Sequence, residues 1–242
     1  MSRRRLVDVL FDVYYSKARG YGDATIRFHN LCAANIPAGG EVLEIGAGSE
    51  NETSTFLATL ARVTAVDVSD DVMSNPSASA AFVFDGSTLP FADNEFDACV
   101  SNYVLEHVAD PQRHFAEVRR VLKPGAKYIV RTPNLLHYVA AVSHALPHGV
   151  HVAVANRLRN LPAESHDPWP TVYRANRPRV LRRLAENARL SVVTCVTVEC
   201  EPSYAKGSAL LFFPMMLYER LVNSSEVFSP LRASINAVLR KH

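Results

Sequence analysis

Between residues 41 and 133, short apolar runs alternate with helix-length amphipathic stretches, and that alternation leaves the chain few folds to choose from. EVLEIG (41–46), RVTAVDV (62–68), AAFVFD (80–85), FDACVSN (96–102) and AKYIVRTP (126–133) read as strands. Segments 51–61, 69–75 and 110–122 read as the helices between them. Strand, helix, strand at this spacing predicts right-handed βαβ units and a mostly parallel sheet, an α/β fold. Asp110-Pro111 offers a cap and a first-turn proline to the last of these helices, and Lys123-Pro124-Gly125 stops it. Residues 177–190 resume as an amphipathic helix and 191–200 as a strand, while residues 6–38 read as helical.

The chemistry-bearing signal is VLEIGAGSEN, residues 42–51. A buried strand carries Glu44, then gives Gly46-Ala47-Gly48 before a helix, whose first N–H groups are free. Asp67 closes the second strand, where a carboxylate can accept both hydroxyls of a ribose. Asp85-Gly86 closes the third. A nicotinamide-type site would want glycine at position 51, which is Asn. Carboxylates would repel a pyrophosphate and attract a sulfonium or ammonium group.

LEIGAGSE, AVDVS, FDGSTLPFADNEFD, VSNYVLEHVADP and LKPGAKYIVRTPN together resemble class I S-adenosylmethionine-dependent methyltransferases of the type 11 group. The resemblance covers residues 41–134. It implies a Rossmann-like, doubly wound seven-stranded sheet with a reversed last strand. It places the methionine end of S-adenosylmethionine at Gly46 and Gly48 and the ribose at Asp67, with Glu44 and Ala47 also expected to bind the cofactor. The adenine falls against Val68, Asp85 and Gly86, and the methyl-bearing end near Asn102. The family's third glycine is Glu50 here, which predicts a slightly wider turn.

The acceptor side is read from residues 134–175, a long excursion that leaves a strand end and holds five of the nine histidines. A hydroxyl acceptor needs a base, and histidine suits that task near neutral pH. His144, mid-helix and on one face with His137, is the expected general base; His137, His151 and His107 are its reserves. His137, His151, Tyr173 and Arg174 are the expected acceptor contacts. Glu106-His107 is half of an E-x-x-E-H pattern that holds a divalent metal such as magnesium in some relatives, with Tyr103 at its first acidic position. The second half of the chain resembles actinobacterial sugar O-methyltransferases, which implies a sugar or mannoside hydroxyl in polysaccharide biosynthesis. The alternatives are a polyketide, quinone or lipid-headgroup acceptor, and a cofactor-binding protein without turnover.

Composition removes other classes. With 26 basic and 24 acidic residues the net charge is +2, and no basic stripe or proline-bearing base-methylase motif follows Asn102, so nucleic acid is not an expected partner. Four scattered cysteines without a C-x-x-C pattern, and no signal peptide, point to a reducing cytoplasm. The longest apolar run, 209–218, is too short for a bilayer, which takes about 20 residues, and reads as core or as a homodimer interface. The 242 residues are expected to form a single methyltransferase domain: a helical extension (1–38), a cofactor-binding core (39–133), an acceptor-binding insertion (134–175) and a C-terminal completion (176–242).

Overall fold

A computed structural model describes residues 5–138 and 170–242. Two N-terminal helices, α1 (Leu6–Tyr14) and α2 (Ala24–Ala33), precede an alternating core. The core runs β1 (Glu41–Ile45), α3 (Glu52–Ala58), β2 (Arg62–Asp67), β3 (Ala80–Val83), β4 (Phe96–Asn102), α4 (Pro111–Val121) and β5 (Leu122–Pro133). After the undescribed stretch come α5 (Pro178–Asn187), β6 (Leu190–Val198), α6 (Ala209–Asn223) and β7 (Ser234–Lys241). The seven strands lie in the order β3-β2-β1-β4-β5-β7-β6. The first five pair in parallel; β7 runs antiparallel to both β5 and β6. This is the doubly wound sheet with a reversed last strand that the sequence resemblance implies.

Several boundaries differ from the sequence reading. The expected helix at 69–75 is a 3-10 turn over Asp70–Ser74. Lys123-Pro124-Gly125 lies inside β5, where the pairing with β4 shifts register and Gly125 takes φ +82. The seventh strand, SINAVLRK, drew no assignment from the sequence. Its last lysine holds it in place: Lys241 Nζ donates to Asn94 Oδ1 (2.8 Å) and to the carbonyls of Leu122 (2.6 Å) and Arg120 (3.4 Å). The apolar run 209–218 forms most of α6, and its buried Phe212 packs edge-on against Phe11 of α1 at 5.2 Å.

The central strands carry apolar side chains on both faces because helices cover both, as a parallel sheet requires. Alternate side chains go to opposite layers. Val42, Val63, Ala98, Val100 and Ile129 join Phe28, Cys32 and Leu57 under α2 and α3. Leu43, Ile45, Cys99, Tyr128 and Val130 join Phe115, Val118, Leu181 and Leu184 under α4 and α5. Extending the same parity to the carboxyl ends of the strands sends Glu44, Asp67, Asn102 and Arg131 to the α2/α3 face. Ser101 and Thr132 go to the other.

That second face carries a buried polar chain. Tyr128 Oη lies 2.7 Å from Ser101 Oγ and 2.8 Å from His114 Nε2. Burial depresses the His114 pKa to about 4, so its ring is neutral and depends on this contact. Tyr128→Phe leaves two buried groups without their partner, each worth about 1–3 kcal/mol. The unfolding free energy should fall by that order, lowering the urea midpoint with an unchanged m-value; a Tyr128→Phe protein as stable as wild type would show that the chain contributes nothing.

Candidate functional site

The strand order reverses between β1 and β4, and open α/β sheets bind ligands at such a switch. A cavity of about 790 Å³ lies there. Of the expected residues, Glu44, Gly46, Ala47, Gly48, Asp67 and Asn102 line it; so do Thr25, Thr53 and Arg131, which the sequence reading did not single out.

Gly46 and Gly48 serve different ends. Gly46 takes φ +73, and a Cβ there would sit 2.4 Å from Val104 Cγ2, so this glycine is required by packing against the loop after β4. Gly48 takes φ +58, and a Cβ there would meet nothing within 4 Å. Its side faces open space, as a backbone offered to a ligand does. The Gly48 N–H donates to Asp67 Oδ2 at 2.9 Å, which ties the loop to the end of β2.

The turn that begins α3 is closed by Asn51. Its Oδ1 accepts from the N–H groups of Thr53 (2.8 Å) and Ser54 (2.9 Å), and its Nδ2 donates to the Ala47 carbonyl (2.6 Å). Beneath it Ser54 Oγ donates to Glu44 Oε2 at 2.6 Å and accepts from Asn51 (2.7 Å) and Asn75 (3.1 Å). Glu44 is 2% exposed. Burial pushes its carboxyl up to about 7, against the lowering effect of the Ser54 and Asn51 bonds. A carboxyl so poised is neutral or charged according to what lies beside it.

At the β4 edge a second chain crosses four elements. Asn102 Nδ2 donates to Thr53 Oγ1 (2.9 Å), and Asn102 Oδ1 accepts from Arg131 Nε (2.6 Å). His29 Nε2 lies 3.3 Å from the same Thr53 hydroxyl, its ring stacked on Phe56 at 4.3 Å. Burial, with Arg131 nearby, lowers the His29 pKa. An arginine only donates, so it fixes which end of the Asn102 amide is oxygen.

The remaining expected residues lie off the cavity. Val68 is exposed, and its Cγ1 lies 3.2 Å from where a Cβ on Gly86 would sit; Gly86 takes φ +76. Asp85 is exposed and spends its carboxylate on its own loop, accepting from Ser87 N and Thr88 N at 2.8 Å each; these bonds lower its pKa to about 2. His137 is buried, with Nε2 3.6 Å from Glu199 Oε2 and its ring between Tyr138 and Tyr218. Burial pushes His137 down to about 4 and Glu199 up to about 8, so both sit neutral near pH 7. The backbone N–H groups of Val172 and Tyr173 donate to the Glu106 carbonyl, and the Arg174 guanidinium donates to the Ala109 carbonyl, so this segment packs on the loop after β4. His144 and His151 lie outside the described residues.

Glu106 and His107, the expected metal candidates, each meet another partner. Glu106 is buried with its carboxylate on Thr132 Oγ1 (3.1 Å), whereas His107 Nδ1 meets the Pro170 carbonyl (3.1 Å). Among the described residues no three His, Cys, Asp or Glu side chains converge as metal ligands. No described helix is long and apolar enough to cross a membrane.

Residues 43–130 match the family model described as a methyltransferase domain. The chain is 37% identical over 99 residues to the demethylmenaquinone methyltransferase of Renibacterium salmoninarum, covering 36% of this chain and 40% of that one. It is 34% identical over 107 residues to the ubiquinone/menaquinone biosynthesis C-methyltransferase of Desulfotalea psychrophila, covering 41% and 44%. The chain thus spans about two fifths of the length of these relatives. The S-adenosylmethionine-dependent methyltransferase of Mesorhizobium loti superposes with a TM-score of 0.58 at 14% identity, over 91% of this chain and 99% of that one. Residues 43–130 thus carry a likeness to a methyltransferase domain, and the fold is shared with the S-adenosylmethionine-dependent methyltransferase of Mesorhizobium loti.

The cavity suits that cofactor. It offers a cationic ligand an acidic lining of Glu44, Glu50, Glu52, Asp67 and Asp71, together with the open Gly48 backbone. A cation beside Glu44 favours its charged form, so cofactor binding below about pH 7 should release a proton from this carboxyl, whose free-protein pKa is about 7. Affinity for S-adenosylhomocysteine, which keeps the methionine ammonium, should therefore rise from pH 5.5 to 7.5 and then level, by at most about tenfold per pH unit for one proton. Calorimetry on Glu44→Gln should give a flat profile; an equally steep one would assign the pH dependence to another group.

Proposed function

We propose that this chain transfers a methyl group from S-adenosylmethionine to a small-molecule acceptor. What carries this reading is the meeting of Glu44, Gly48, Asp67 and Asn102 at one cavity where the strand order reverses. When bound, the cofactor supplies an electrophilic methyl on a sulfonium centre. The chain's own residues position it. Asp67, held by Gly48 N–H and by Ser69 N–H at 3.0 Å, keeps lone pairs for the ribose hydroxyls. Glu44 and the Gly46–Gly48 backbone take the methionine end, and Asn102 stands at the methyl end. The adenine is assigned to Val68, Asp85 and Gly86, outside the cavity lining, on the family resemblance. Asp67→Ala should weaken S-adenosylhomocysteine binding by about 1.5–3 kcal/mol, the cost of losing hydrogen bonds to a charged group. An unchanged Kd in a folded Asp67→Ala protein would remove this site.

For the acceptor, the relatives' names favour a hydroxylated ring of the quinol type, methylated on carbon. The sugar hydroxyl expected from the second half of the sequence has no corresponding feature among the described residues. Both nucleophiles strengthen as a hydroxyl proton leaves, so both call for a base. His144 remains the proposed base, with His151 and His107 behind it. His137, enclosed beside Glu199, is the poorest placed. On whichever of a demethylmenaquinol analogue or a mannoside accepts methyl, His144→Ala should lose ~10²–10⁴-fold in rate with cofactor affinity intact. Retention of more than about a tenth of turnover, well short of that range, would pass the role to another group.

A further inference from the structure

Arg131 stands at the end of β5 opposite Asn102, and it is 4% exposed. Its guanidinium is sandwiched between aromatic rings, 4.9 Å from the Phe28 centroid and 4.8 Å from that of Tyr103. Of its five N–H donors, Nε is committed to Asn102, and Nη1 makes one long contact with Thr25 Oγ1 at 3.4 Å. Among the described residues no carboxylate lies within ion-pair distance of it; Glu106 is turned to Thr132 on the other face of the sheet.

A buried cation without a counter-ion is costly, and two ring faces offset only part of that cost. The side chain is also held rigidly, by stacking and by the Asn102 bond, with the rest of its fork towards the cavity that it lines. Such a fork matches a planar, two-oxygen anion. The site also has a polarity: Glu44 and Asp67 lie at the ends of β1 and β2, and the positive charge lies two strands beyond β1 in the sheet.

We propose that Arg131 is the anion receptor of this cavity and binds a carboxylate through its free guanidinium edge. Resting on the cofactor reading above, the carboxylate has two sources: the methionine end of the cofactor, or an acidic acceptor lying beyond the methyl. The same chemistry serves both, and binding measurements separate them.

The full chain is titrated calorimetrically with S-adenosylhomocysteine and with its decarboxylated counterpart, as wild type, Arg131→Gln and Arg131→Lys. If the cofactor supplies the carboxylate, Arg131→Gln weakens S-adenosylhomocysteine by about 10- to 100-fold. Arg131→Lys weakens it less, and neither variant changes binding of the decarboxylated compound. If the acceptor supplies it, S-adenosylhomocysteine binding is unaffected, and benzoate titrated into the S-adenosylhomocysteine-loaded wild type saturates but fails to do so in Arg131→Gln. Equal losses for both cofactor analogues would reduce Arg131 to a packing role and overturn the proposal. So would a wild-type protein that neither prefers S-adenosylhomocysteine to its decarboxylated form nor binds benzoate, a readout independent of whether the variants fold. Failure of wild type to bind S-adenosylhomocysteine at all would instead overturn the cofactor reading.

Discussion

The loop after β1 depends on position 46 having no side chain. Gly46 N–H closes onto the Val66 carbonyl at 2.8 Å, so the chain leaves β1 still anchored to β2, and Val104 fills the space where a Cβ would be. That contact joins the two strands on either side of the reversal in sheet order. A residue with a Cβ would have to push the β4 loop away, and Asn102, two residues before Val104, would move with it. The cavity is therefore shaped by packing between two loops before any ligand is considered.

Period-two alternation does the rest. Val42 and Glu44, Val63 and Asp67, Ala98 and Asn102, Ile129 and Arg131 each share a parity along one strand. Their apolar members pack under α2 and α3, so the polar members must emerge on that side where the helices stop covering the sheet. Four polar residues reach one cavity because four strands are in parallel register, with no loop needed to carry them. Asp67 is legible in the sequence because it closes an apolar run, Glu44 because it stands just before the glycine turn, and Asn102 only through the family resemblance. Arg131 closes an apolar run too, in YIVRTP, but nothing in the local pattern distinguishes it from a solvated strand end. Only the partners that α2 (Phe28) and the end of β4 (Asn102 and the following Tyr103) bring to it reveal that it is enclosed.

What lies off the cavity, or escaped the sequence reading, has equally local causes. Asp85 follows β3, an edge strand of four residues. Asp85 consequently meets its own loop. β7 escaped notice because its apolar residues are interrupted by Asn236 and Arg240 and because its pairing partners are far off in sequence. His137 read as one of a row of polar residues. Its burial against Glu199 is set by β6 and α6, whose arrival over that position no local pattern encodes.

The buried titratable groups fall into two kinds, and the difference bears on function. His114, His137 and Glu199 are held towards their neutral forms by burial, and a neutral group in a dry interior adds specificity without a charge to solvate. Glu44 is balanced near neutrality by burial against the Ser54 and Asn51 bonds, and Arg131 cannot discharge at all. These two side chains line the cavity, where a bound ligand can complete their electrostatics. A zwitterion with an added positive centre supplies both complements at once, a cationic group towards Glu44 and an anionic group towards Arg131. The unbalanced charges that would be a liability in a core are, at the strand switch, a means of orienting one end of a ligand relative to the other.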